Sequence, residues 1–272
     1  MATAAKRAKV QPMQADPSAQ TPIPAATLVV FRHARDRGPP ELLMVVRSKA
    51  MSFAGGMAVF PGGRLDEVDR ELAARIDHGC DDDDEAAHRI AAIRETAEET
   101  GLAIALKGQM DAQRAAVMRQ SLLEKGELAP VLDEFDLKLD LDALVPFARW
   151  LPLGLSHSRI FDTRFYLADL GTGAVDIAVD ATENTKLFWV SAQGALDMAE
   201  RGEIKIIFPT RRNLERLAQF DDFAAAKAHA RATPIRTITP EVFEDGETRV
   251  LRIPSDLGYP VHSEPLTKAQ RT

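Results

Sequence analysis

A single cysteine, Cys80, in 272 residues excludes an intramolecular disulfide framework and any zinc site built from several thiolates. No stretch reaches the ~18 uninterrupted apolar residues of a membrane span, so no membrane partner is expected. Basic residues do not dominate. Lys and Arg number 34 against 41 Asp and Glu, a formal net charge of −7, without the basic footprint of a general nucleic-acid binder. Met1 to Lys9 has no apolar core of the kind a secretory signal carries, and the cytoplasm is the default expectation. With 45% hydrophobic and 28% charged residues, the composition is that of a soluble globular protein long enough to bury a real core.

The pattern along the chain interleaves strands with helices. Residues 1–24 are rich in Ala, Pro, Gln and Ser and read as a flexible tail. Ala26–Arg32 and Leu42–Arg47 read as a strand hairpin, and Met57–Phe60 as a third strand stopped by Pro61-Gly62-Gly63. Asp84–Thr100 reads as a helix closed by Gly101, with the apolar stripe Ala86, Ile90, Ile93 and Ala97. Helices are also expected over 111–125, 129–135, 191–201, 210–219 and 222–231, and strands over 145–153, 159–167 and 186–190. The fold class is therefore α/β or α+β.

One helix carries the chemistry. Glu95, Glu98 and Glu99 are spaced i, i+3 and i+4 and share one face, opposite the apolar stripe. Three adjacent carboxylates repel unless a cation or an arginine compensates. Hard oxygen ligands suit Mg²⁺ or Mn²⁺, which commonly bridge to substrate phosphates. A solvated acidic face on a surface helix is the alternative reading. The segment Val59-Phe60-Pro61-Gly62-Gly63 adds a turn through which backbone can closely approach a ligand. His88 lies on the acidic face and reads as solvent-facing, while Trp150 and Trp189 read as packing residues.

Together these segments resemble the Nudix hydrolase family. Its signature runs Gly, five residues, Glu, seven residues, then Arg-Glu-hydrophobic-x-Glu-Glu-x-Gly-hydrophobic. Arg94 to Leu102 match the second half and Gly63 matches the opening glycine. Thr96 stands where the signature has an aliphatic residue. Gly63 and Arg94 are 31 positions apart against the signature's 14, an excess of 17. The first Glu falls on Asp69 when counted from Gly63 and on Ala86 when counted back from Arg94. Such an insertion is similar to the branch represented by Nudix motif-containing protein 19, of the acyl-coenzyme A diphosphatase type. Arg47-Ser48, Gly56 and Phe60 to Gly63 resemble a motif of coenzyme A-cleaving members, with Ser52 where that motif has Arg. Phe161 to Phe165, Glu183 to Trp189 and Pro209 to Leu214 look like the same branch, and the likeness covers roughly residues 25–220.

The resemblance implies an α/β/α sandwich with a mixed sheet. Residues 25–232 would form the hydrolase domain, with an insert at about 64–84, extra C-terminal helices and an extension over 233–272. It implies Mg²⁺- or Mn²⁺-dependent cleavage of a nucleoside diphosphate linked to another group, coenzyme A or acyl-coenzyme A above all. ADP-ribose, NADH, a nucleotide sugar or a non-catalytic nucleotide sensor are the alternatives. Glu95, Glu98, Glu99 and the Gly62 carbonyl would hold the metal, and Arg94 would hold the carboxylates in place. Glu183 would be a further ligand or the general base, against the reading of a solvated loop residue. Arg47 and Arg164 would bind substrate phosphate unless they are outward-facing strand residues, and Arg211 and Arg212 are further candidates. The partner is a small-molecule diphosphate, with a homodimer allowed for. The insert is expected to be a surface excursion with one short helix at Glu67–Ile76, such that deleting 71–82 would have little effect on stability.

Overall fold

The computed structural model describes residues 21–34, 38–50, 54–153, 159–171, 184–246 and 248–269. Strands β1 (Ile23–Arg32) and β2 (Glu41–Arg47) form the expected antiparallel pair, and β3 (Ala58–Val59) and β4 (Gly62–Arg64) follow. Helices α1 (Glu67–Ala73) and α2 (Asp83–Thr100) come next. A small ribbon of β5 (Leu106–Lys107) and β6 (Lys138–Leu139) brackets α3 (Ala112–Lys125) and α4 (Leu128–Glu134). Then come β7 (Val145–Trp150), β8 (Phe161–Asp169) and β9 (Asn184–Ser191), followed by α5 (Ala192–Glu200), α6 (Phe208–Leu217) and α7 (Phe223–Ala232). The chain closes with β10 (Thr237–Ile238), β11 (Glu241–Asp245), β12 (Thr248–Arg252), β13 (Ser263–Pro265) and α8 (Leu266–Ala269). Among the described residues no helix is long and apolar enough to cross a membrane.

The main sheet is mixed, in the order β10-β7-β8-β1-β2-β3, with β4 also on β1 and β9 on β2. β1 runs parallel to β8 and antiparallel to β2 and β4. Because alternate strand residues face opposite sides, β1 feeds two cores. Ala26, Leu28 and Val30 pack with Ile90, Ile93, Met118 and Leu122 on one side, and Val29 and Phe31 with Phe147, Leu196 and Leu214 on the other. The expected α/β/α sandwich results. The segment after 232 is tied into it, since β10 pairs with β7 and Leu251, Ile253, Leu257 and Tyr259 join the second core. Trp150 is core, as expected, and its indole N–H donates to Asn213 Oδ1 (3.3 Å) and Tyr259 Oη (3.2 Å).

The insert differs from the expected surface excursion. Leu65, Leu72 and Ala73 lie in the first core, with Ile76 and Cys80 packed at its edge. The short helix is present but ends at Ala73. Its start is fixed by the Asp69 carboxylate, which accepts the Asp66 backbone N–H at 3.0 Å. A deletion of 71–82 would therefore remove core residues. Leu72→Ala should destabilise the protein by about 2–4 kcal/mol in urea denaturation, because a buried leucine leaves a cavity, whereas Glu71→Ala on the exposed face should be nearly neutral.

The second core contains a buried cation with no carboxylate partner among the described residues. Arg216 lies 4.0 Å over the Phe147 ring, donates to Phe147 O (3.0 Å) and donates through Nε to His229 Nε2 (3.2 Å). Burial and the Arg216 charge hold the His229 imidazole below its ordinary value. Below about pH 6.5 the unfolded chain then binds more protons than the folded one, so His229 subtracts stability as pH falls. Chemical denaturation from pH 7.5 to 5.5 should show this loss, and His229→Gln should flatten it.

Candidate active site

α2 is the element that assembles the site. Asp82 caps its start by accepting the Glu85 N–H (2.7 Å), and Gly101, in the left-handed region at φ 75°, ends it. Arg119 of α3 donates to the carbonyls of Glu98 (2.8 Å) and Glu99 (3.4 Å), so a cation faces the negative end of the helix dipole. Thr96, where the signature has an aliphatic residue, is fully buried and donates its hydroxyl to Ala92 O at 2.7 Å, so its polar atom is satisfied.

Arg94 is the centre, with 3% of its surface exposed. Its Nε and one terminal nitrogen grip Asp69 of α1, both at 2.9 Å, and that second nitrogen also reaches Arg64 O at 3.1 Å and Asp66 at 3.3 Å. The other terminal nitrogen donates to Glu95 (3.0 Å) and Glu98 (3.3 Å). Glu99 is turned the other way and accepts the Gly62 N–H at 3.0 Å. β4 lies directly beneath the helix. A Cβ on Gly63 would collide with the Glu95 carboxylate, and one on Gly62 with the backbone of Ala26 and Thr27. Two glycines are thus required by close approach, which the opening Gly of the signature did not by itself reveal.

The electrostatics follow from this crowding. Burial pushes the Glu95 carboxyl up to about 8, against the pull of Arg94 and reinforced by Glu98 and Glu99. Burial also raises Glu98, again opposed by Arg94. Burial alone would lower Arg94, but the hydrogen bonds to Asp69 and the surrounding carboxylates drive it upward. Four carboxyl groups, from Asp66, Asp69, Glu95 and Glu98, share one guanidinium, with the Glu99 carboxyl close by on the Gly62 N–H. Among the described residues no three carboxyl, imidazole or thiol groups yet surround a common point as a bound ion would have them. The donor set nevertheless fits a hard divalent cation. It is all oxygen, short of positive charge, and packed on glycines that leave no side chain in the way.

The other expected site residues are spread more widely. Asp69 is the acidic partner that sequence counting left open against Ala86. It is 1% exposed and bound to Arg94 through both oxygens. Arg164 is drawn to the first turn of α2, pairing with Asp84 (2.5 Å) and Glu85 (2.8 Å). Glu85 precedes Glu95 by ten residues, ~15 Å of helix, so this guanidinium is committed away from the Arg94 cluster. It lines a separate cavity of about 150 Å³ with Glu85, Arg149 and Tyr166. Arg211 and Arg212 are corrected as phosphate candidates, since both are buried, Arg211 on Glu200 (2.6 Å) and Arg212 on Glu215 (2.9 Å) and Glu264 (3.1 Å). His88 is not solvent-facing. It is buried, its Nδ1 lies 2.7 Å from Asp84 O, and burial lowers its basicity. Glu183 and Ser52 lie outside the described residues, and Arg47 ends β2 half-buried.

No family model matches the chain. Its fold is that of the Nudix hydrolases. It is similar to the crystal structure of a Nudix hydrolase from Alicyclobacillus acidocaldarius, 29% identical over 78% of this chain and 97% of that one, with a TM-score of 0.65. Looser likenesses are a MutT protein from Methanosarcina mazei Go1 (15% identity, 74% and 96% of the two chains, TM-score 0.40) and a C. elegans Ap4A hydrolase (19%, 66% and 88%, TM-score 0.36). The Alicyclobacillus protein is a Nudix hydrolase, of a class acting on acid anhydrides, and this likeness supports the Nudix family for this chain.

Asp69→Ala removes one partner of a buried ion pair, leaves the buried Arg94 Nε without its acceptor and frees the Asp66 N–H. It should lower stability by about 3–5 kcal/mol in equilibrium denaturation, whereas an equal substitution at the exposed Asp77 should change it little.

Proposed function

We propose that the protein hydrolyses, with Mg²⁺ or Mn²⁺, a phosphoanhydride bond in a nucleoside diphosphate linked to another moiety, coenzyme A or a short acyl-coenzyme A being the substrate. The observation that carries this reading is Arg94 holding Asp69, Glu95 and Glu98 at once beside the glycine-lined β4. Glu95, Glu98, Glu99 and the Gly62 carbonyl are the groups that would hold the cation. When bound, the cation neutralises charge on the diphosphate and activates water. Arg94 keeps Glu95 and Glu98 on one side of the helix, and the Gly62 N–H holds Glu99 against β4. Water adds to one phosphorus as the bridging P–O bond breaks. Two phosphate monoesters leave, and one proton passes to a carboxylate, the role this reading gives to Glu183 as base or further ligand.

Of the four arginines considered for substrate phosphate, three are bound to the protein's own carboxylates. Arg47 has no ion pair among the described residues, and its Nε is buried without a partner. This supports Arg47 as the phosphate ligand, and with Ser48, Gly56 and Phe161 to Phe165 it carries the coenzyme A reading. The products would be adenosine 3′,5′-bisphosphate and a 4′-phosphopantetheine. A sensor that binds without cleaving has no need of the intact Arg94, Glu95, Glu98 and Glu99 set.

The substrate reading is tested by kcat/KM for coenzyme A against dephospho-coenzyme A, ADP-ribose and NADH. Coenzyme A should lead. A tenfold preference for ADP-ribose or NADH, about 1.4 kcal/mol in transition-state binding, would remove it. Glu98→Gln should lower turnover at least about a hundredfold with the fold retained, and near-normal turnover at saturating Mg²⁺ would sink the assignment of Glu98 to the metal.

A further inference from the structure

Where β2 meets β9, a bulge between Val46 and Arg47 brings Arg47 opposite Asn184. Both side chains have polar atoms left unused among the described residues. Asn184 is 1% exposed, yet neither its Oδ1 nor its Nδ2 has a hydrogen-bond partner among them. The Arg47 Nε is likewise buried and unpartnered. By contrast Arg32, Arg94, Arg149, Arg164, Arg211 and Arg212 each meet a carboxylate. A buried amide with both functions unmet is rare, because its removal from water is uncompensated. Cross-strand partners in an antiparallel pair carry their side chains side by side on one face.

The pair is also anchored to the active-site turn. The Arg47 N–H donates to Met57 O, and its carbonyl accepts the Gly56 N–H, both at 3.0 Å. From Met57 the chain reaches Gly62, the residue that holds Glu99, in five residues, a span of at most ~17 Å. A nucleoside diphosphate can bridge such a distance.

We propose that Asn184 is a specificity residue that reads the adenine edge of the substrate while Arg47 beside it holds a phosphoryl group. An asparagine amide offers one acceptor and one donor in a plane, matching the N6 amine and N7 acceptor of adenine. This rests on the diphosphatase reading above, whose candidates coenzyme A, ADP-ribose and NADH share an adenine. A site whose buried polar groups expect a partner rejects analogues that lack it.

The full chain is assayed with ADP-ribose, its hypoxanthine analogue and its 7-deazaadenine analogue, which alter the edge while leaving the diphosphate unchanged. The wild-type protein should favour ADP-ribose at least tenfold over each analogue, mainly through KM. Asn184→Leu should bring the three within about threefold of one another, with kcat for ADP-ribose changed by less than about threefold. Equal handling of all three by the wild-type protein overturns the proposal, and this arm needs no variant to fold. An adenine preference that survives in folded Asn184→Leu also overturns it, leaving Asn184 a structural residue. If neither these three compounds nor coenzyme A is hydrolysed, the diphosphatase reading fails. Calorimetric binding of ADP against IDP and 7-deaza-ADP then reads the same edge, with a tenfold preference for ADP expected and equal binding refuting the role of Asn184.

Discussion

The site depends on one guanidinium in a crowd of carboxylates. Arg94 is buried between α1, α2 and β4, and its nitrogens hold Asp66, Asp69, Glu95, Glu98 and a backbone carbonyl. An arginine can do this because its donors are fixed in a planar fork and its charge persists when buried. Without it, the acidic residues on α1 and α2 would repel, and the helices could not pack as they do. Leu72 and Ala73 bury their side chains in the core shared with Ile90 and Ile93, so packing and charge hold the same pair of helices.

This arrangement explains how an insertion of 17 residues can interrupt a signature without destroying it. The chain leaves after Asp69 and returns through α2, but Arg94 still meets Asp69 through two bonds of 2.9 Å. The spacing that matters is measured in space. Asp69 and Arg94 are also the points where the insert is stitched to the site, so its first half is structural and only the stretch around Asp77 to Asp82 is largely exposed.

Much of this was legible in the sequence. α2 was readable to within a residue at its start because an acidic N-terminus, a four-position apolar stripe and a terminal glycine agree. β4 was not, since Gly-Gly-Arg lacks strand propensity and pairs only because β1 needs a neighbour there. His88 was misplaced because a helical wheel assigns faces relative to one core, whereas α2 is covered by α1, α3 and the sheet together. Arg211 and Arg212 looked available because Glu200, Glu215 and Glu264 become their partners only through the packing of α6 against distant segments. Asn184 gave no local signal. Its unmet amide is visible only when the whole structure has been searched for partners.

The central claim is that the carboxylates gathered by Arg94 are short of positive charge and take up a divalent cation. Titrating Mn²⁺ into the substrate-free protein and following the free-ion EPR signal tests it directly. Wild-type protein should quench the signal saturably, and the doubly substituted Glu95→Gln, Glu98→Gln protein should quench it at least tenfold less tightly while unfolding cooperatively. Equal Mn²⁺ affinity in the two proteins would contradict the account.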